Sequence, residues 1–141
     1  MTQLEEVRVL LVDDEVEYVD ILTKRMKKRK LKASSVNSGE DALGFLARHP
    51  TDVVILDVKM PGIGGMQTLK EIKHQYPLIE VIMLTGHANV EVAIEGMEFG
   101  AFDYLMKPMV IDDLVYKIQD ACKKKSIQEE KISERLKAST V

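Results

Sequence analysis

Five short apolar runs, each followed by a longer amphipathic stretch, leave this 141-residue chain few architectures to choose from. The runs are Val7 to Val12, Leu31 to Val36, Val53 to Leu56, Val81 to Leu84 and Phe102 to Met106. Such alternation is the pattern of a doubly wound α/β fold, a parallel sheet with helices on both faces. Apart from Arg8 the first run is continuously apolar, which predicts a strand buried on both sides, whereas the more polar second run suits an edge. Helices are expected from about Glu15 to Arg29, with Val19, Leu22 and Met26 inward, and from an Asn37 or Ser38 cap to about Arg48. Ala42, Leu43 and Leu46 form the inward stripe of the second. A third covers about Met66 to Gln75 after the turn-forming stretch Met60 to Gly65. A fourth runs from about Ala88 to Glu98, with Val90, Ala93, Ile94 and Met97 at helical spacing. The last begins near Asp112 and lays Leu114, Val115, Ile118, Ala121 and Cys122 on the sheet.

Bulk properties narrow the functional classes. The length suits one domain with its own core. A net charge of −3 argues against general nucleic-acid affinity. The single cysteine, Cys122, excludes an internal disulfide framework and fits a reducing compartment. No apolar run approaches the roughly 20 residues that span a bilayer. With Glu5 and Glu6 near the start and no basic n-region, the chain reads as cytosolic.

Four of the apolar runs end in chemically useful residues. The first leads into Asp13-Asp14, the third into Asp57, the fourth into Thr85-Gly86 and the fifth into Lys107-Pro108. In an open parallel sheet the carboxyl ends of the strands share one edge, and ligands bind there. Three carboxylates and one ammonium leave two negative charges in a small cleft, and close carboxylates raise one another's pKa. A hard divalent cation such as Mg²⁺, which takes oxygen ligands, resolves the repulsion. One carboxylate is then free to attack a phosphoryl group, while Lys107 and Thr85 supply a charge and a hydroxyl to its oxygens.

The segments Leu11-Val12-Asp13-Asp14-Glu15, Leu56-Asp57-Val58-Lys59-Met60-Pro61-Gly62, Leu84-Thr85-Gly86-His87 and Gly100 to Pro108 occur in order, each at a strand end. In these motifs the chain resembles the receiver domain of two-component response regulators, from about Val7 to about Lys123. The stretch Thr85 to Pro108 is similar to receivers that precede transcription-activating domains. The resemblance implies a flavodoxin-like, five-stranded parallel sheet in the order 2-1-3-4-5, with five helices and an extended C-terminal one. It also implies that Asp57 accepts a phosphoryl group from a phosphohistidine on a sensor kinase or phosphotransfer protein. Asp14 and Asp57 would ligate Mg²⁺ directly, Asp13 through water and Lys59 through its backbone carbonyl. Lys107 would bind the phosphoryl group and precede a cis proline, Pro108. Thr85 and Tyr104 would form a switch pair that re-forms the surface of helix four, strand five and helix five and controls partner binding or dimerisation.

On this reading, residues 1–123 form the receiver and 124–141 a helical extension or linker. Heptad positions continued from Ile111 fall on Lys125, Gln128, Ile132 and Arg135, which is a poor coiled-coil seam. The domain would catalyse only its own phosphorylation and slow dephosphorylation, without binding nucleic acid or membrane. A Mg²⁺-dependent phosphohydrolase with a catalytic aspartate is the alternative from another class. It would need an acid two residues after the nucleophile, where this chain has Lys59. A receiver that works without phosphorylation would have lost an acid or the lysine, and none is lost. Lys24 to Lys32 holds seven basic residues in nine, either a solvated helix end or a docking surface for the kinase. Lys59 and His87 flank the path of an attacking water and are expected to set the phosphoryl lifetime. Gly64 stands where the family often has an aspartate cap, so the third helix should begin loosely.

Overall fold

A computed structural model describes residues 7–60, 62–86 and 90–139. Five strands, β1 (Arg8–Val12), β2 (Lys32–Val36), β3 (Val53–Asp57), β4 (Glu80–Thr85) and β5 (Asp103–Met106), form one parallel sheet in the order β2-β1-β3-β4-β5. The crossovers are α1 (Val16–Lys28), α2 (Gly39–Leu46), α3 (Gly64–Gln75) and α4 (Val90–Glu98), and α5 (Ile111–Ser139) closes the order. The first residues of the predicted fourth helix, Ala88 and Asn89, lie outside the described residues.

Alternation along the strands sorts their side chains into two layers. Val9, Leu11, Ile55, Ile82 and Leu84 meet Leu22 and Met26 of α1 and Leu114 and Ile118 of α5. Leu10, Val12, Val54, Leu56 and Met83 meet Ala42 and Leu46 of α2 and Leu69 and Ile72 of α3. Each such side chain, taken fully out of water, contributes about 1.5–3 kcal/mol before entropy is counted. β2 lies at one edge with only Ala33 buried among its five residues, in keeping with its polar sequence.

The helix ends show where local chemistry decides. Ser38 caps α2 by accepting a hydrogen bond from the Asp41 backbone N–H at 3.0 Å. Asn37, the other candidate cap, instead donates from Nδ2 to the Asp13 carbonyl at 3.0 Å. α3 starts at Gly64, two residues earlier than the periodicity predicts, and its cap residue Ile63 offers no side-chain acceptor.

One helix turns much of its apolar spacing to solvent. In α4, Val90, Ile94 and Met97 are exposed at 74%, 54% and 45%, and Gly96 is the residue that is buried. Of the four apolar residues at helical spacing, these three face outward and Ala93 is half-buried. Gly96 has no Cβ, so the Met83 side chain fills the space beside it, and a Cβ there would meet the Met83 Cε at 2.0 Å. The helix docks through that hole and leaves Val90, Ile94 and Met97 on the surface.

At the opposite edge of the sheet from the site, α5 is tied down by charge. Lys124 Nζ lies 3.2 Å from Glu80, which is fully buried, and Lys125 Nζ lies 3.3 Å from Asp52. Beyond these pairs the helix continues to Ser139 with Ile127, Ile132 and Leu136 exposed. Cys122 is buried, and burial pushes its thiol up to about 11, which suits a packing role.

Gly44 offers a check on the helical assignment. It lies exposed within α2, and an added Cβ would meet nothing within 4 Å. Gly44→Ala should therefore raise stability by about 0.5–1 kcal/mol, because alanine loses less backbone entropy in a helix. A shift of the urea midpoint at unchanged slope would register it, and an unmoved midpoint would refute it.

Candidate metal and phosphoryl site

Period-two geometry carries the apolar strands into the site. Asp13 follows Leu11 by two residues and Asp57 follows Ile55 by two, so both continue the phase that faces α1 and α5. Lys107 stands two residues past Leu105, which packs in the same layer. Asp13, Asp14 and Asp57 each place a carboxylate oxygen within 4.8 Å of the others. Asp13 and Asp57 are buried and Asp14 is exposed, so the cluster opens to solvent on one side.

Lys107 Nζ lies 2.6 Å from Asp13 Oδ2, 3.4 Å from Glu15 Oε1 and 3.9 Å from Asp57 Oδ2. Its backbone N–H donates to the Thr85 carbonyl at 2.8 Å, which locks the end of β5 to the end of β4. The Lys107–Pro108 peptide bond is cis. Asp13 is held from two further directions: its Oδ1 accepts the Glu15 N–H at 2.9 Å, and its carbonyl takes the bond from Asn37. Asp57 Oδ1 accepts the Lys59 N–H at 3.2 Å.

Electrostatics follow from this crowding. Burial, then the neighbouring Asp13 charge, raise the Asp57 carboxyl to about 6, against the opposing pull of Lys107 and the Lys59 N–H. Burial alone would depress the Lys107 ammonium, but the hydrogen bond and charge of Asp13 outweigh it and hold it above the usual lysine range. An all-oxygen donor set with more negative than positive charge, one member already driven toward protonation, fits a hard divalent cation. The carboxylates of Asp13, Asp14 and Asp57 lie close enough together to hold such an ion.

The other predicted residues sit around this centre. Thr85 is the last residue of β4 and only 3% exposed. Tyr104, partly buried, stands opposite Met83 in the ladder and packs against the α2 and α3 layer. Lys59 is exposed beside Asp57, and His87 lies outside the described residues. The basic run covers the end of α1, where Lys24, Arg25, Lys27, Lys28 and Lys30 are exposed. A groove of about 520 Å³ passes from Lys107 and Pro108 along Tyr18, Ile21 and Arg25 toward that run.

Three features were not visible in the motifs. Tyr18, one turn past Glu15, places its ring centroid 4.4 Å from Lys107 Nζ. Asn37 braces Asp13 across the sheet edge. Gly65 sits against the backbone after Asp57, where a Cβ would meet the Asp57 carbonyl oxygen at 2.3 Å. The i, i+3 spacing of Glu15 and Tyr18 on the turn after the acidic pair hints at the first, whereas Asn37 reads as a cap candidate and Gly65 as part of a turn, and neither pattern marks a contact with the acids.

Comparison with known proteins bears on the family and the fold. The family model for the response regulator receiver domain matches residues 9–119. The regulator NtrC of Salmonella typhimurium is 34% identical over 113 residues, 80% of this chain and 24% of that protein. The regulatory protein AtoC of Escherichia coli is 35% identical over 123 residues, 87% of this chain and 27% of that protein. The chain thus spans about a quarter of the length of these curated relatives. A receiver domain structure from Clostridium thermocellum superposes with a TM-score of 0.82 at 35% identity, covering 86% of this chain and 98% of that one.

Proposed function

This chain belongs to the response regulator receiver domain family, and from that premise we propose that Asp57 is the phosphoacceptor of its two-component exchange. The observation that carries the assignment is the convergence of Asp13, Asp14 and Asp57 with the Lys107 ammonium at one sheet edge.

In the forward step an Asp57 carboxylate oxygen attacks the phosphorus of a phosphohistidine on a sensor kinase or phosphotransfer protein. The new O–P bond forms as the N–P bond breaks, and the leaving imidazole nitrogen takes up a proton. Lys107 shifts from Asp13 toward the phosphoryl oxygens on Asp57, a short move given the 3.9 Å that separates them at rest. The Thr85 hydroxyl meets another of those oxygens. Bound Mg²⁺ supplies neutralising charge to the acids and the phosphoryl group. Water later attacks phosphorus and restores the carboxylate with release of inorganic phosphate. Lys59, exposed two residues after Asp57, would set the rate of that return.

The groove beside Lys107 and the basic end of α1 would receive the donor, attracted by their charge. The output would arise on the far side. As Thr85 moves toward the phosphoryl group, the Tyr104 ring turns inward and the exposed Val90, Ile94 and Met97 of α4 change their presentation to a partner or a second copy. Residues 124–139 would carry that change away as a helical connector. The aspartate phosphohydrolase reading is not favoured, since Lys59 occupies the place of the required acid.

Incubation with Mg²⁺ and acetyl phosphate, followed by mass measurement, tests the assignment. One added phosphoryl group is expected in the parent and none in Asp57→Ala. Uptake that survives in Asp57→Ala would overturn it.

A further inference from the structure

Within the phosphoryl site, we propose that Tyr18 is a positioning residue for Lys107: its ring forms the wall that holds the ammonium between Asp13 and Asp57. The inference rests on Lys107 as the phosphoryl-binding cation. The contacts around Nζ divide its surroundings into two halves. On the sheet side lie Asp13 Oδ2 at 2.6 Å and Asp57 Oδ2 at 3.9 Å. On the helix side lie Glu15 Oε1 at 3.4 Å and the Tyr18 ring centroid at 4.4 Å. The Lys107 side chain is left only 13% exposed.

The ring can hold this position because its own body is anchored. Tyr18 is partly buried and packs against the layer built from α1, α5 and the odd-numbered residues of β1 and β3. Its outer side lines the groove along α1. Glu15, by contrast, has a side chain 64% exposed and can turn away into solvent. The aromatic face therefore supplies the fixed part of the cradle. An ammonium over such a face is attracted by the ring's electron density. That attraction has no strong directional demand, so Lys107 can slide from Asp13 to a phosphoryl oxygen without losing it. An aliphatic residue of similar size would fill the space without attracting the charge.

This separates two roles by experiment. Tyr18→Phe keeps the ring face, and Tyr18→Leu keeps only apolar bulk. The readouts are the affinity for beryllium trifluoride, a phosphoryl mimic on Asp57, and the rate of acetyl phosphate uptake, both at saturating Mg²⁺. Tyr18→Leu is expected to weaken mimic binding and slow uptake by about three- to tenfold, with Mg²⁺ affinity within a factor of two of the parent. Tyr18→Phe should retain the parent's values. Equal losses in both variants, or no loss in either, would overturn the role. Should Tyr18→Leu fail to fold, the parent still provides a test. Protons on the Lys107 ε-carbon should show an upfield ring-current shift that persists in Tyr18→Phe, and its absence from the parent would refute the contact. Absence of any uptake by the parent would instead fault the assignment of Asp57 and Lys107.

Discussion

Asp57→Asn should make the metal-free protein more stable at pH 7.5 by about 1–3 kcal/mol, while removing its capacity to accept a phosphoryl group. The reason is the position of the acid. In the folded chain burial and Asp13 hold the Asp57 carboxyl near 6, above its ordinary value of 3.8. An acid whose folded pKa is raised favours the fold fully below its unfolded pKa, and loses that contribution as pH rises through the folded value. The parent should thus lose stability between about pH 4 and 6, as Asp57 ionises beside Asp13 and Asp14 with Lys107 and the Lys59 N–H compensating only in part. The amide has no charge to develop, so that part of the slope should vanish in the variant. Urea unfolding at pH 4, 5, 6 and 7.5 in a chelator measures it. Saturating Mg²⁺ should then stabilise the parent at pH 7.5 more than the variant, since one ligand charge is gone. Parallel curves for the two proteins would refute the account.

That acid was readable in the sequence for a simple reason. A strand segment buried on both faces is apolar, so the first polar residue after it marks the edge of the sheet. Val9 to Val12, Val53 to Leu56 and Val81 to Leu84 each obey this, and so Asp13, Asp57 and Thr85 could be placed at one edge before any coordinates. The convergence of distant residues came from topology alone.

What stayed hidden depends on relations that periodicity does not encode. Val90, Ile94 and Met97 have helical spacing whether they face a core or an outside partner, and only the docking of α4 through Gly96 onto Met83 distinguishes the two. Tyr18 looks like any partly buried aromatic on a helix until Lys107, 89 positions away, is placed under its ring. From sequence the end of α5 reads as either a helical extension or a linker, because its inward positions turn polar at Lys125. The structure accounts for this: that position meets Asp52 at the sheet's lower edge, where a charge has a partner and an apolar residue would have no core to enter.

Gly65→Ala should cost more than its single methyl group suggests, and should strike stability and phosphoryl uptake together. The added Cβ would lie 2.3 Å from the Asp57 carbonyl oxygen, 2.5 Å from the Val58 Cα and 2.6 Å from the Val58 carbonyl oxygen. All three are backbone atoms, so no side chain can rotate away to make room. The Gly65 N–H also donates to the Val58 carbonyl at 3.1 Å, which ties the first turn of α3 to the same peptide. Either α3 lifts off the sheet or the Asp57–Val58 backbone is driven into the site. Overpacking of this kind costs about 1–3 kcal/mol and at times more, equivalent to several degrees in the melting temperature of a small domain. Displacement of Asp57 by a good fraction of an ångström would slow uptake from acetyl phosphate by roughly ten- to a hundredfold. Gly96→Ala is the informative comparison, because its Cβ meets the Met83 Cε and Sδ, the far end of a flexible side chain. It should lose less stability, and leave Asp57 where it is. Thermal unfolding and initial uptake rates for the two variants decide the matter, and a Gly65→Ala protein that melts and accepts phosphoryl groups like the parent would show that the β3–α3 connection does not position the acid.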